Sequence, residues 1–160
     1  MPIFRFQSAT KRRSRSLDLL DIKVDDRVLE IGTGLGYQAA ILAQLARKVY
    51  SVEIIEELGQ KAKQRLRQQR CRNVELKIAN GYYGWSEHAA FDKVIVTAAP
   101  DLIPPPLIHQ LKAGGKMVIP AGLPDTQQLI LAEKLANGRM TVKEILTVRF
   151  SQLEDTGSGL

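Results

Sequence analysis

Val28-Leu29-Glu30-Ile31-Gly32-Thr33-Gly34-Leu35-Gly36 decides how this chain folds. An apolar run takes in an acid, three glycines follow at alternate positions, and helical spacing of apolar residues starts at Tyr37. The pattern predicts a buried strand over residues 27–31 that turns sharply into a helix. Glycine admits positive φ and lets backbone approach a ligand closely. The helix behind the turn aims its free N–H groups and positive dipole end at the same place. A dinucleotide fingerprint needs its third glycine three positions after the second. Tyr37 stands there instead. The stretch therefore predicts a ligand-binding turn whose spacing is not that of a dinucleotide site.

Outward from this turn the chain alternates. Ala40, Ile41, Leu42, Leu45 and Ala46 fall on one helical face between residues 37 and 48. Residues 49–53 predict a second strand, and residues 56–70 a basic helix with an inner stripe of Leu58, Ala62 and Leu66. Val74 to Ala79 predicts strand three, and Phe91 to Thr97 a central strand around Val94-Ile95-Val96. Pro104-Pro105-Pro106 opens a short helix that Ala113-Gly114-Gly115 closes, and residues 116–120 form strand five. Two β-rich runs, residues 127–135 and 140–150, meet around Asn137-Gly138, a strong hairpin signal. Upstream, Ser16 predicts the N-cap of a brief helix over residues 17–21. The expected fold is α/β: a Rossmann-like, doubly wound, mostly parallel seven-stranded sheet, helices on both faces, and a C-terminal antiparallel hairpin. A single domain spans 1–160, with an irregular basic segment over 1–15 and a flexible tail over 151–160.

Composition narrows the class. At 160 residues, 44% hydrophobic and 25% charged, the chain has an ordinary globular makeup. Its single cysteine, Cys71, forms no internal disulfide and fits a reducing compartment. No apolar run nears the roughly 20 residues that span a bilayer, and no apolar core follows the basic N-terminus as in a secretory signal. Cytoplasmic residence is expected. The net charge of +6 gathers at Lys11, Arg12, Arg13 and Arg15 and between Lys61 and Arg72. No aromatic residues interleave the second cluster to stack on bases, so it reads as a solvated helix face rather than a nucleic-acid surface.

In an open parallel sheet, ligands bind beyond the carboxyl ends of the strands. Strand one brings Glu30 and the glycine loop there. Strand two brings Glu53, whose carboxylate suits the two hydroxyls of a ribose. Strand three brings Asn80-Gly81, and strand four Thr97-Ala98-Ala99. Acids at strand ends suit a cationic ligand better than a phosphate, and no Gly-Lys-Ser/Thr phosphate loop is present. His88 and His109 lie far apart, with no carboxylate at ligand spacing, so no metal is expected.

The G-x-G-x-G spacing with Glu30 before it resembles the first motif of S-adenosylmethionine-dependent methyltransferases. The continuation Gly36-Tyr37-Gln38-Ala39-Ala40, with Tyr50-Ser51-Val52-Glu53, Asn80-Gly81, Gly84-Trp85, residues 91–99 and residues 114–120, resembles the protein-L-isoaspartate O-methyltransferases. The likeness runs from about residue 17 to residue 150. It implies methyl transfer from S-adenosylmethionine to the α-carboxyl of L-isoaspartyl residues in damaged proteins or peptides, a repair reaction. The ester closes to a succinimide that reopens partly as aspartate. The expected cofactor set is Glu30, Gly32, Thr33, Gly34, Gly36, Glu53, Ile54, Asn80, Gly81 and Thr97. Asn80 stands where the family usually has Asp. The family's Gly-Gln-Thr-Ile-Ser stretch is not intact here, and ungapped counting puts Ser8 at its serine, the one expected catalytic residue. A shortened N-terminus, a monomer and isoaspartyl-protein partners are expected. The alternatives are a related methyltransferase on another acceptor such as RNA, or a cofactor-binding domain with little activity.

Overall fold

The computed structural model describes residues 15–153. Helix α1 occupies residues 15–20. Strand β1 (Arg27–Ile31) leads to α2 (Tyr37–Leu45), β2 (Lys48–Glu53), α3 (Glu56–Gln68) and β3 (Val74–Ile78). Two short 3₁₀ turns follow, then β4 (Phe91–Val96), α4 (Pro105–Gln110), β5 (Leu111–Ala121), β6 (Gln128–Lys134) and β7 (Met140–Thr147). The seven strands form one sheet in the order β3-β2-β1-β4-β5-β6-β7. Pairings from β3 to β5 are parallel, and β6 and β7 are antiparallel. The fold class read from the β/α alternation is the one observed.

Strand residues alternate between two buried layers, as the pleat requires. Val28, Val49, Ile95 and Val118 pack with Leu20 of α1 and with Leu42 and Ala46. Leu29, Ile31, Tyr50, Val52, Val94 and Val96 pack on the other face with Leu107 of α4. Each such side chain, fully buried, contributes roughly 1.5–3 kcal/mol. The chain leaves β1 toward β2 on one side and returns to β4 on the other. That reversal opens a crevice at the carboxyl ends of β1 and β4.

Several local expectations change. Ile41 is 49% exposed and Leu45 40%, while Gln38, Ala39, Ala40 and Leu42 are buried. Helix α2 is clasped between the sheet and α3. Ala39 and Ala40 face Leu66, while Leu42 and Ala46 face the strands. The buried arc is therefore turned away from Ile41 and Leu45. On α3 the inner positions are Gly59, Ala62 and Leu66. A Cβ on Gly59 would lie 2.0 Å from Ile78 Cδ1, and Leu58 turns to the crevice instead. Gly114 and Gly115 do not end α4, which stops at Gln110. They belong to a bulge in β5, where pairing jumps from Phe91↔Leu111 to Lys93↔Lys116. Gly114 has φ +83°, and a Cβ on Gly115 would lie 2.9 Å from the Asp92 carbonyl.

The first and last of the described residues also differ from expectation. Residue 15 is already helical, and Ser16 is a buried residue of α1 rather than its cap. The expected loose tail is held in its first residues. Ala99 N–H donates to the Ser151 carbonyl at 2.8 Å, and Leu153 N–H donates to the Ala99 carbonyl at 2.9 Å. Gln152 thereby bridges Ala99 in parallel fashion. The β6–β7 hairpin turns at Asn137-Gly138 as the sequence predicts, with Gly138 at φ +83°.

Candidate functional site

Beyond the carboxyl ends of the parallel strands lies a cleft of about 840 Å³. Its lining includes Gly32, Gly34, Glu53, Ile54, Gly81 and Thr97, which the sequence predicted to meet, together with Ile31 at the end of β1. Gly34 has φ +56°, and no atom lies within 4 Å of where its Cβ would be. Bare backbone thus faces the cleft. Gly32, at φ +93°, is a different case, because a Cβ there would meet Thr97 Oγ1 at 2.3 Å. Thr97 donates to the carbonyls of Gly32 at 2.9 Å or Ile31 at 3.1 Å, tying the turn to the end of β4.

Glu53 is 5% exposed, and both its oxygens are engaged. Gly34 N–H donates to Oε1 at 2.7 Å, and Ile55 N–H donates to Oε2 at 3.0 Å. The carboxylate pins the glycine loop to the end of β2. Each oxygen keeps a further lone pair for a ligand hydroxyl.

Four expected ligand contacts lie behind this wall. Glu30 is fully buried and its expected direct role is corrected. Its side chain points from β1 toward α2, where Ser51 Oγ and Gln38 Nε2 donate to its two oxygens. Ser51 spends its proton on Glu30, so the 2.6 Å contact with Thr33 Oγ1 has Thr33 as donor. Thr33 and Glu30 thus build the floor of the turn. Gly36, at φ +85°, caps α2 beside α3, where a Cβ would lie 3.2 Å from Ala62 Cβ. It serves close helix packing. Asn80 Oδ1 accepts from Tyr82 N–H at 3.0 Å, and its Nδ2 is buried without a partner among the described residues. Ser8, the expected catalytic serine, lies outside the described residues.

Other lining residues had no local signal. Ser16 of α1 and Gln38 of α2 border the cleft, and so do Arg149, Phe150, Ser151, Gln152 and Leu153. The last five form a strap after β7. Gln127, 2% exposed, holds it: Phe150 N–H donates to Gln127 Oε1 at 2.6 Å, and Gln127 Nε2 donates to the Phe150 carbonyl at 3.1 Å. The strap reaches the cleft through pairings across the fold, which no short-range pattern in the sequence announces.

The remaining polar features sit elsewhere. His88 stacks on Tyr50, ring centroids 4.4 Å apart, and meets Glu75 at 3.4 Å. Trp85 joins that aromatic cluster rather than the cleft wall. Asp21, on the surface, is held below the usual carboxylate range by a hydrogen bond and charge from Lys23. Among the described residues no group of His, Cys, Asp or Glu is arranged to hold a metal, and no helix is long and apolar enough to cross a membrane.

The sheet order, the crevice at its reversal and the glycine turn bound to an acid on β2 define a Rossmann-like domain of the methyltransferase kind. Solved structures agree. One described as a protein-L-isoaspartate O-methyltransferase superposes with a TM-score of 0.81 at 29% identity, covering 88% of this chain and 45% of that one. Another under that description, from Plasmodium falciparum in complex with S-adenosyl-L-homocysteine, superposes at 0.74 with 22% identity, covering 88% and 70%. The family model for protein-L-isoaspartate(D-aspartate) O-methyltransferase matches residues 5–158, and the chain belongs to that family. A relative from Polaromonas sp. (strain JS666 / ATCC BAA-500), named protein-L-isoaspartate O-methyltransferase 1, is 66% identical over 142 residues, 89% of this chain. One of the same name from Nitrosospira multiformis is 53% identical over 141 residues, 88% of this chain. The chain spans 60% of the length of each of these two relatives.

Proposed function

We propose that the chain carries out S-adenosylmethionine-dependent methylation of the α-carboxyl of L-isoaspartyl residues in damaged proteins. The observation that carries this reading is the Gly34 backbone bound to Glu53 at the open end of β1 and β2, facing the cleft. Family membership supports it.

The residues present fit the cofactor. Glu53 retains acceptor capacity for ribose hydroxyls, and its charge offsets that of a sulfonium. The uncovered Gly34 admits close approach of a ligand. Gln38 borders the cleft, and its Oε1, buried and unpartnered among the described residues, leaves an acceptor there. Ile54 and Gly81 supply apolar and backbone walls. Bound there, S-adenosylmethionine supplies an electrophilic methyl group.

The acceptor carboxyl is ionised at neutral pH, since such groups titrate near 3.3–3.9 in ordinary surroundings. No general base is needed. The chain's own task is alignment and exclusion of water, which supply much of such a rate enhancement. Thr97 fixes the β1 turn against β4, and the strap of residues 149–153 walls the far side. The same reading has the chain acting in the cytoplasm as a monomeric single domain on proteins rather than nucleic acid. The test is incubation with labelled cofactor and an isoaspartyl peptide beside its aspartyl twin. Label in a base-labile ester on the isoaspartyl peptide alone is expected. Equal or absent labelling of the two rejects the assignment.

A further inference from the structure

The cleft has two unlike halves. The ends of β1, β2 and β3 contribute Gly34, Glu53, Ile54 and Gly81, an acid among backbone and apolar groups. The end of β4 and the strap contribute Thr97, Ala98 and residues 149–153. Glu53 is the one acid in the described lining and Arg149 the one base. They stand on opposite halves. Among the described residues Glu53 is occupied by two backbone N–H groups, whereas no ion pair or hydrogen bond engages the Arg149 guanidinium.

The backbone around Arg149 is fixed on both sides. Val148 is 3% exposed, and its N–H donates to the Gln127 carbonyl at 3.0 Å. Phe150 exchanges two hydrogen bonds with the Gln127 amide, and Ser151 accepts from Ala99. Val148 and Phe150 pack into the layer with Leu20 and Ile95. A charged side chain between two such anchors is a presented group rather than a core residue. A guanidinium offers five donors in a planar fork that matches a carboxylate.

We propose that Arg149 is the acceptor-binding residue that recognises the substrate carboxylate and discriminates it from the methyl ester. The inference rests on the methyltransferase reading above and deepens it. In the reaction the carboxylate oxygen forms a bond to the methyl carbon and the carbon–sulfur bond breaks. The bonding pair goes to sulfur, and no proton moves. The acceptor changes from an anion to a neutral ester, so its pairing with Arg149 weakens as product forms. One residue thereby favours substrate capture and product release together.

Two measurements separate this from the parent reading. The first is binding of an isoaspartyl peptide and of its methyl ester to the chain saturated with S-adenosylhomocysteine, which needs no turnover. Wild type is expected to prefer the free carboxylate by about tenfold or more, the size of a charge-assisted hydrogen bond. Arg149→Ala is expected to lose that preference, and Arg149→Lys to keep part of it. The second is steady-state kinetics. Arg149→Ala is expected to raise the peptide KM about tenfold, with kcat and the S-adenosylhomocysteine affinity within about twofold of wild type. A wild-type chain that methylates while Arg149→Ala keeps its carboxylate preference and KM overturns the inference alone. So does a variant that loses S-adenosylhomocysteine instead, since Arg149 would then serve the cofactor. A wild-type chain that shows neither isoaspartyl methylation nor a carboxylate preference overturns both readings.

Discussion

Gly32, Gly34 and Gly36 all have positive φ, yet a methyl group on each meets something different. At Gly34 it meets open cleft, and at Gly36 it presses on the Ala62 backbone and side chain of α3. Left-handed backbone costs a non-glycine residue roughly 1–2 kcal/mol at either site. Overpacking adds about 1–3 kcal/mol at Gly36. Gly36→Ala should therefore lose more stability in urea unfolding than Gly34→Ala. Gly34→Ala should lose more S-adenosylhomocysteine affinity by calorimetry, because its methyl group enters the binding space. A reversed ranking would mean that Gly36, not Gly34, faces the ligand. The sequence shows three equivalent glycines because spacing reports the turn and not which side of it each Cα faces. Glu30 likewise carries no local mark of the side it faces, and it is fully buried. Strand alternation carries its side chain into the helix-covered layer, where Ser51 and Gln38 neutralise the cost of burial by hydrogen bonding.

At the scale of elements, β1, β2, β4 and their helices are legible because apolar runs and periodicity are local. The β5 bulge and the strap after β7 are not. Gly114-Gly115 resembles a helix stop, and only the pairing of β5 with β4 reveals a bulge. Likewise Gln127 and Phe150 are 23 residues apart, and their two hydrogen bonds form only once β6 and β7 have paired. That clamp carries a prediction. Gln127→Ala strands the N–H and carbonyl of Phe150, and unsatisfied buried groups cost about 1–3 kcal/mol each. The strap is expected to open locally before the sheet does. Amide hydrogen exchange at residues 148–153 should accelerate at least tenfold in Gln127→Ala, with exchange in β1 and β4 little changed. Uniform acceleration across the sheet would show that the strap is no separate unit.

The whole molecule places its ligand-facing groups on one edge of an otherwise closed packing problem. Both sheet faces are covered, by α1, α2 and α3 on one side and α4 on the other, so the core does not depend on the cleft being filled. Cofactor binding should then add to a fold that already stands. A ligand held at about 100 times its Kd stabilises the native state by roughly 2.7 kcal/mol. For a domain of this size about 1 kcal/mol moves Tm by roughly 2–4 °C. S-adenosylhomocysteine at that excess should therefore raise Tm by about 5–10 °C. Glu53→Ala tests the origin of the shift. It frees the Gly34 and Ile55 N–H groups, which lowers the Tm of the unliganded chain, and removes the ribose acceptor, which lowers the ligand-induced rise at the same ligand concentration. Glu53→Gln keeps an acceptor oxygen and one loop contact, so it should fall between the two. A full ligand-induced rise in Glu53→Ala would show that the acid at the end of β2 shapes the loop and leaves the cofactor to other groups.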